Sequence, residues 1–246
     1  MRWRDVLIAA AVLLLVWEVA ALALHRDILP GPTEVMATFV AQFPLALGRH
    51  FFVSTMRVVA ALLLSVVVAV PLGLILGQSK LANRLLAPVI YVLYPIPKIV
   101  FLPIIFLFLG IGEMSKVFII FLILFFQVLV VVRDSASTLR PELLASVRSL
   151  GAGRRALFRF VYLPATVPAS ITALRISVGT AVAVLFFAET YATTSGLGYY
   201  IIVDSLSRLA YREMYAGVLA MSLLGLGLYL ALDQLERRLA PWMFVS

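Results

Sequence analysis

A lysine interrupts one of the long apolar stretches of this 246-residue sequence. Lys98 lies in YPIPKIVFLP, where Pro95 and Pro97 remove backbone hydrogen bonds and bend a helix. A cation beside carbonyl groups freed in this way can hold an anionic ligand transiently. Two structural roles explain the lysine equally well: pairing with a carboxylate such as Glu189, or extension of the side chain to a membrane surface.

A carboxylate and a glycine-rich turn form a second polar interruption. Glu189 precedes the sequence SGLGY, which contains Gly196 and Gly198. Glycine makes such a turn flexible and suited to a gate, although a carboxylate near a helix end at the membrane surface explains Glu189 equally well. Polar groups inside apolar stretches usually face a cavity or the interior of a helix bundle. The candidates for lining any path through the chain are therefore Pro95, Pro97, Lys98, Glu189, Gly196 and Gly198.

The sequence lacks the residues that thiol chemistry and nucleotide binding through a phosphate loop require. Cysteine is absent, and His25 and His50 are the only histidines. No G-x-x-x-x-G-K-[ST] phosphate loop occurs. We therefore assign no catalytic residue, no metal site and no cofactor to the chain. The net charge of +8 does not indicate nucleic-acid binding, because no basic block is interleaved with aromatic residues on a soluble face.

A basic segment interrupted by glycines lies within residues 133–170, the longest connection between two strongly apolar stretches of the sequence. Apolar residues recur there at helical spacing, which predicts two short amphipathic helices; they are Leu143, Leu144, Val147, Leu150, Leu157, Phe160 and Val161. Gly151 and Gly153 bracket the turn between the two helices.

The basic residues of the same segment also follow a helical spacing. Arg148, Arg155 and Arg159 are separated by seven and four residues, which places them on one stripe of a continued helix. Pro164 and Pro168 are expected to end the segment and to turn the chain back into the membrane. The arginines on one face of this segment have two interpretations. The segment is either a helix lying on anionic lipid or a docking element for a partner protein.

These residues must be positioned by membrane-spanning helices. Hydrophobic residues make up 63% of the sequence and charged residues 13%, whereas a soluble domain has about 25% charged residues. Crossing a bilayer takes about 20 apolar residues in a helix. The sequence predicts an all-α integral membrane protein, one transmembrane domain over residues 1–246, with six transmembrane helices at 6–24, 58–76, 85–109, 114–132, 171–188 and 214–232.

The distribution of lysine and arginine predicts the orientation of these helices. With the N-terminus inside, twelve basic residues fall in inner segments: Arg2, Arg4, Lys80, Arg84, Arg133, Arg140, Arg148, Arg154, Arg155, Arg159, Arg237 and Arg238. Five fall in outer segments: Arg26, Arg49, Lys116, Arg208 and Arg212. Both termini are therefore predicted to be cytoplasmic, with Arg175 at an inner helix end.

The first predicted helix also fits a cleavable signal peptide. Arg2 and Arg4 precede an apolar run that ends in small residues around Ala21 and Ala23. The run is longer than the usual core of about 7–15 residues, and it contains Glu18. We therefore expect this segment to be retained as a membrane helix.

The packing residues of the second helix can also be predicted. Gly73 and Gly77 form a G-x-x-x-G pair, which is typical of close contact between membrane helices. Arg57 lies at the start of the same helix and is expected to anchor it at the membrane surface.

The basic segment resembles a known motif. LLASVRSLGAGRRALFRFVYLPATVP is similar to the EAA loop of ABC importer permeases, which reads E-A-A, three residues, G, nine residues, I-x-L-P. Gly151, Val161, Leu163 and Pro164 match this spacing, whereas Ala145 occupies the first position of the motif, where the family has glutamate. The stretches LPGPTEV, STMRVVAALLLSVVVAVPLGLILG, YPIPKIVFLPIIFLFLGIGE, LRISVGTAVAVLFFAE and SGLGYYI further resemble, in this order, the nitrate/sulfonate/taurine family of these permeases.

The resemblance implies a type I ABC importer permease fold in the cell inner (plasma) membrane. It also implies that the first helix is peripheral, so that Glu18 faces a neighbouring helix and not the substrate. Loop 133–170 would then dock in a cleft of a separate ATPase, without the polar contact of the missing glutamate. The coupling residues implied are Ala145, Arg148, Gly151, Arg154, Arg155, Leu157, Phe158, Arg159, Leu163 and Pro164. The implied partners are ATP-binding cassette ATPase subunits carrying ATP and Mg, an extracytoplasmic solute-binding protein, a second copy of the permease and membrane lipid.

The resemblance further implies ATP-driven transport by alternating access. The substrate would be a small solute of the nitrate, sulfonate, taurine or vitamin-precursor type. Two alternatives come from other classes. A stand-alone secondary transporter or channel would require a coupling-ion site or a polar stripe along the pore, and the predicted helices carry few ionisable residues. A membrane scaffold without transport activity would not need the basic segment broken by glycine.

Overall fold

A computed structural model describes residues 3–24, 26–191 and 193–243. In these ranges the chain is helical and contains no β-strand, which confirms the predicted all-α class. Arg2 and His25 lie outside the described residues. The eleven α-helices of the described part are α1 (Trp3–Leu24), α2 (Pro32–Gln42), α3 (Gly48–Gln78), α4 (Lys80–Leu93), α5 (Leu102–Leu109), α6 (Glu113–Ser137), α7 (Pro141–Ser149), α8 (Arg154–Leu157), α9 (Leu163–Thr190), α10 (Leu197–Tyr199) and α11 (Tyr211–Leu239).

Four helical segments of the described residues are long and apolar enough to cross a membrane: Pro32–Gln78, Glu113–Ser137, Arg155–Thr190 and Tyr211–Leu239. The first combines α2 and α3 through a π-helical turn, and the third combines α8 and α9 in the same way. A bent pair, Lys80–Leu93 with Lys98–Leu109, makes a fifth if it counts as one span. The apolar part of α1, Ile8–Leu24, is shorter than these. Each of the six predicted stretches overlaps a helix, but the count of six spans is not confirmed.

The predicted span 85–109 is not one straight helix. Its two halves are bent by 82° where α4 ends and a 3₁₀ turn, Lys98–Phe101, begins. Pro95 and Pro97 lie at this break. A proline has no N–H to donate, and it disfavours helical dihedrals in the residue before it, so two prolines in three residues prevent the helix from continuing.

The prolines after the basic segment act differently from the sequence-based expectation. A π-helical turn, Phe158–Tyr162, joins α8 to α9, and the helix runs through Pro164 and Pro168 to Thr190. The Thr166 hydroxyl donates to the carbonyl of Tyr162 at 2.9 Å. Local π-turns and Ser or Thr hydroxyls accommodate proline in membrane helices, so the prediction that these prolines end the segment was wrong.

Two compact units make up the chain. One comprises residues 1–55 and 189–224, the other residues 56–188 and 225–246, so that the boundaries fall inside α3, α9 and α11. The larger unit contains a core of buried aliphatic side chains from α3, α6 and α9, among them Ala61, Ile119, Leu124, Val128 and Leu185. The assignment of residues 1–246 to a single domain stays a prediction.

Glycines of α3 allow this helix to approach α6 closely. A Cβ added at Gly73 would lie 2.8 Å from the Val132 Cβ, and one at Gly77 would lie 2.5 Å from the Ala136 Cβ. No real Cβ is accommodated at such distances without movement of the neighbouring helix. The two glycines are therefore packing residues, as their spacing predicts.

The smaller unit connects α1, α2 and α11 through polar contacts. Trp17 Nε1 donates to the Pro30 carbonyl at 3.1 Å. The Glu18 carboxylate lies beside Gly31, the residue that precedes α2, where the positive end of the helix dipole stabilises an anion. Glu34 of α2 pairs with Arg212 of α11 at 3.1 Å. Glu18 therefore faces a neighbouring helix, as expected.

Candidate functional site

Lys98 lies at the bend between α4 and α5 and lines a cavity of about 350 Å³. Its Nζ atom donates to the carbonyl oxygen of Tyr94 and lies 4.7 Å from the centroid of the Phe126 ring. Pro95 and Pro97 line the same cavity. The structure thus brings three predicted path residues together around a positive charge, and the broken helix supplies the carbonyl that holds this charge in place.

Two polar side chains that the sequence-based reasoning did not select also line this cavity. They are Gln127 of α6 and Thr180 of α9. The Gln127 Oε1 atom is buried and has no hydrogen-bond partner within the described part of the chain. A single amide in the middle of the apolar stretch 114–132 was the available signal, because polar groups at membrane depth usually face a cavity or the bundle interior.

A second cavity, of about 840 Å³, shares Tyr94 and Pro95 with the first. Arg84 and Arg133 contribute positive charge to its lining, which is otherwise mostly apolar. Arg133 also pairs with Asp134, at 2.7 Å between Nη2 and Oδ1. The two cavities therefore adjoin at the helix break, and each carries basic side chains.

The remaining predicted path residues lie together in the smaller unit. Glu189 at the end of α9 is fully buried, and its carboxylate accepts hydrogen bonds from the Ser54 hydroxyl at 2.8 Å and the Gly198 N–H at 3.0 Å. Gly196 has a φ of +112°, a conformation that requires glycine. Participation of these residues in transport stays a prediction.

The basic segment has the predicted form of two short helices separated by a glycine turn. Helix α7 ends at Ser149, and Gly151 follows with a φ of +82°. Helix α8 begins at Arg154, whose side chain lies outside the described residues. The helix is interrupted between α7 and α8, so Arg148 does not share a continuous helix with Arg155 and Arg159; the spacing had suggested one continued helix for all three. All three of these arginines are nevertheless exposed.

The apolar residues of this segment divide between its two sides. Leu157 and Val161 are buried against the core of the larger unit. Leu150 is 84% exposed, Phe160 is 69% exposed and Phe158 is 38% exposed. Phe160 shares helical spacing with Leu157 and Val161 but not their burial, because the π-helical turn changes the angle between successive residues and breaks the expected period.

The other coupling residues take positions on either side of this exposed face. Ala145 is exposed on α7, whereas Leu163 and Pro164 are half-buried where the π-helical turn meets α9. We call the exposed side of residues 140–160 the basic–apolar face. Exposed aromatic and aliphatic side chains beside arginines are typical of surfaces that bind other proteins.

Two ion-pair clusters were not predicted from the sequence. Arg57 is buried and pairs with Glu113, at 2.6 Å between Nε and Oε2, so the expected surface anchor is a packed residue of the larger unit. Arg175 of α9 pairs with Asp233 and, at 3.2 Å, with Glu236. Neither pair can be predicted from sequence spacing, because the partners are more than 50 residues apart and lie on different helices.

Comparison with known proteins places this fold in a class. The family model described as "Binding-protein-dependent transport system inner membrane component" matches residues 69–245. The chain is 33% identical over 241 residues to the taurine transport system permease protein of Escherichia coli (strain K12), covering 94% of this chain and 87% of that protein. It is 27% identical over 243 residues to a putative aliphatic sulfonates transport permease protein of Bacillus subtilis (strain 168), covering 98% and 88%.

A solved structure supports the fold independently of sequence. An inward-facing structure of the MetNI methionine ABC transporter has a TM-score of 0.66 and 17% identity, covering 78% of this chain and 95% of the matched chain. The protein belongs to the family of binding-protein-dependent transport system inner membrane components and has the fold of a type I ABC importer permease. Within that class it is a permease of the nitrate, sulfonate and taurine type.

Proposed function

We propose that this permease forms the translocation path of an ATP-driven importer and couples to a separate ATPase through residues 133–170. The observation that carries this proposal is the basic–apolar face, where arginines and large apolar side chains are exposed around the Gly151 turn. The side chains of Leu150 and Phe160 on this face are exposed, because no other part of the described chain covers them. A partner that covers this face would bury the apolar area and meet the arginines with carboxylates.

Coupling through this face would follow from its connection to the membrane helices. The π-helical turn Phe158–Tyr162 continues directly into α9, which runs to Thr190. ATP binding would close a pair of ATPase subunits, bring two copies of the basic–apolar face together and open the path outward. Hydrolysis would reverse this change. ATP and Mg would bind to the ATPase, this chain would carry no catalytic site, and both of its termini would face the cytoplasm.

The basic residues of the two adjoining cavities support the proposal that the substrate carries a negative charge. Lys98 and Gln127 line one cavity, and Arg84 and Arg133 line the other. A small anion leaving Lys98 would meet further positive charge beyond the helix break. An extracytoplasmic binding protein would deliver the solute, of the nitrate, sulfonate, taurine or vitamin-precursor type, and a second permease copy would complete the path.

The test is co-purification of the permease with the ATPase and binding protein encoded beside it, in mild detergent, followed by an ATPase assay. We expect the ATPase to co-elute with the parent protein. Arg155→Glu combined with Phe160→Asp should abolish the association, since both changes lie on the basic–apolar face. Arg208→Glu is the matched control, because Arg208 is also exposed but lies between α10 and α11.

Two outcomes would contradict the proposal. Co-elution of equal amounts of ATPase with the parent and the double variant would remove the basic–apolar face from the contact. Transport or conductance by the purified chain alone in vesicles would support the secondary transporter or channel instead, and the basic segment would then be a helix resting on anionic lipid.

A further inference from the structure

Three successive N–H groups after α9 each meet a side-chain acceptor. Gly196 N donates to His50 Nδ1 at 3.0 Å, Leu197 N to Ser54 Oγ at 2.8 Å and Gly198 N to Glu189 Oε2 at 3.0 Å. All of these residues belong to the unit of residues 1–55 and 189–224. The turn 195–198, which its glycines suggested to be flexible, is therefore held at three consecutive peptide groups.

Ser54 and Glu189 connect two of these contacts. The Ser54 Oγ atom lies 2.8 Å from each carboxylate oxygen of Glu189, and both residues are fully buried. A hydroxyl has one proton to donate and lone pairs to accept, so Ser54 donates to Glu189 while it accepts from Leu197 N. Since a buried carboxylate requires such donors, Glu189 and the turn stabilise each other.

Helix geometry explains why α3 reaches the turn. His50 and Ser54 are four residues apart near the start of α3, so both side chains project from the same helix face. Glu189 approaches from the end of α9. Tyr200, two residues after the turn, is buried, and its ring packs against Gly217 of α11. The turn is thus fixed to one end of α3, and its own glycines do not leave it free.

We infer that Glu189 and Ser54 are positioning residues that fasten the turn 195–198 to the start of α3, so that the turn and the start of α3 move together during the transport cycle. This inference rests on the proposed function, and it specifies how the predicted residues Glu189, Gly196 and Gly198 take part in it. Glu189 acts through the backbone of Gly198 and does not contact the substrate.

The absence of cysteine from the sequence allows a direct measurement. Leu197→Cys introduces one thiol at a fully buried position of the turn. Its reaction with a membrane-impermeant maleimide is followed in the complex of permease, ATPase and binding protein in proteoliposomes, with and without ATP plus vanadate. We expect slow labelling in the parent complex and a change in rate when the nucleotide is added.

Loss of the carboxylate should release the turn. Glu189→Ala is expected to raise the labelling rate about tenfold, the effect of removing a buried charged acceptor, and to abolish its dependence on nucleotide. Glu189→Gln retains an oxygen that can accept from Gly198 and should stay within about threefold of the parent. Glu34→Ala is the matched control, since Glu34 is an exposed carboxylate of the same unit.

Two further measurements keep the inference falsifiable. A thiol at buried Leu124 of α6 should label equally slowly with and without Glu189→Ala, which excludes general unfolding. Ser54→Ala tests the turn if Glu189→Ala does not fold. Labelling as slow as the parent in a Glu189→Ala complex that no longer transports would overturn the inference. Failure of the parent to retain an ATPase would instead overturn the proposed function, because labelling of the turn can be measured without that partner.

Discussion

Lys98 carries its charge at a point where the backbone has lost its helical hydrogen bonds. The Tyr94 carbonyl and the Phe126 ring are both neutral, so they stabilise the ammonium group without cancelling its charge. A negatively charged solute entering the same cavity would therefore meet a net positive site. Charge-assisted contacts of this kind contribute about 1.5–3 kcal/mol each.

Replacement of this lysine should impair transport without releasing the ATPase. In proteoliposomes containing the whole complex, we expect Lys98→Met to reduce uptake of whichever of radiolabelled taurine, ethanesulfonate and nitrate the parent transports, by about tenfold or more. Lys98→Arg keeps the charge and should retain more of the uptake. Undiminished uptake by Lys98→Met, with the ATPase bound, would show that the substrate does not depend on this charge.

Individual site residues were predictable from sequence when their polarity conflicted with their surroundings. Lys98, Pro95 and Pro97 stand out in an apolar stretch, and the structure brings them to one cavity. Gln127 was missed although it is the same kind of exception. Two of the three contacts of the turn 195–198 could not be predicted, because His50 and Ser54 are more than 140 residues away from it in sequence.

At the scale of elements, the turn between α7 and α8 depends on one glycine. Gly151 has a φ of +82°, whereas Gly153 is not among the described glycines with positive φ. A β-branched residue in the left-handed region is strained by about 1–2 kcal/mol. The relative direction of α7 and α8 should therefore change when Gly151 is replaced.

This difference provides a matched pair of variants. We expect Gly151→Val to lower the amount of ATPase that co-purifies with the permease severalfold, because it distorts the basic–apolar face. Gly153→Val introduces the same side chain at a glycine without a positive φ and should leave the association unchanged. If Gly151→Val retains the parent amount of ATPase, the turn geometry does not determine docking.

The contact of α3 with α6 yields a stability prediction. A Cβ at Gly77 would also approach the Arg133 carbonyl to 2.7 Å, so Gly77→Ala forces the helices apart at a cost of about 1–3 kcal/mol. The thermal unfolding midpoint in detergent should fall by several degrees. Gly227→Ala is the control, since no heavy atom lies within 4 Å of its added Cβ in the described chain; equal midpoints for both variants would contradict tight packing at Gly77.

Elements were predictable where apolar length determined them and less so at their ends. The six stretches overlap α1, α3, α4 with α5, α6, α9 and α11. Their ends depend on how each proline is accommodated. Pro95 and Pro97 break a helix, whereas Pro164 and Pro168 lie within one, next to a π-helical turn and Ser and Thr hydroxyls. The sequence alone does not distinguish these cases.

At the scale of the whole molecule, the C-terminal part of α11 is held by charge. Arg175 of α9 meets Asp233 and Glu236, and the Thr172 hydroxyl donates to Glu236 Oε1 at 2.6 Å. Glu236 is only 5% exposed. Without Arg175, this carboxylate would remain buried with one donor.

We therefore expect Arg175→Leu to destabilise the protein by about 1–3 kcal/mol, the effect of leaving a buried polar group poorly satisfied. The free energy change would appear as a lower thermal midpoint and earlier aggregation in size-exclusion runs. Glu236→Gln in the same chain should restore part of the loss, because the amide is cheaper to bury. Arg237→Ala is the control: its contact with Asp233 is at the surface and should contribute little.

The class of the whole protein was predictable because five stretches, each only weakly diagnostic by itself, resemble the permease family in the same order along the chain. The family match over residues 69–245 confirms it. The ion pairs of Arg57 and Arg175 were not predictable, since each depends on which helices pack together. The sequence predicted an anchor at the membrane surface for Arg57 and an inner helix end for Arg175, but it predicted neither the partner Glu113 nor the partner Asp233.

The bend at Pro95 and Pro97 has a consequence for the energy balance of the cell. A path through the membrane is a risk when it conducts protons or sodium ions, since these dissipate the membrane potential. The ammonium group of Lys98, held at the helix break by Tyr94, repels small cations from the cavity it lines. Under the proposed function, the charge that would attract an anionic solute would thus also limit the leak of cations while that solute passes.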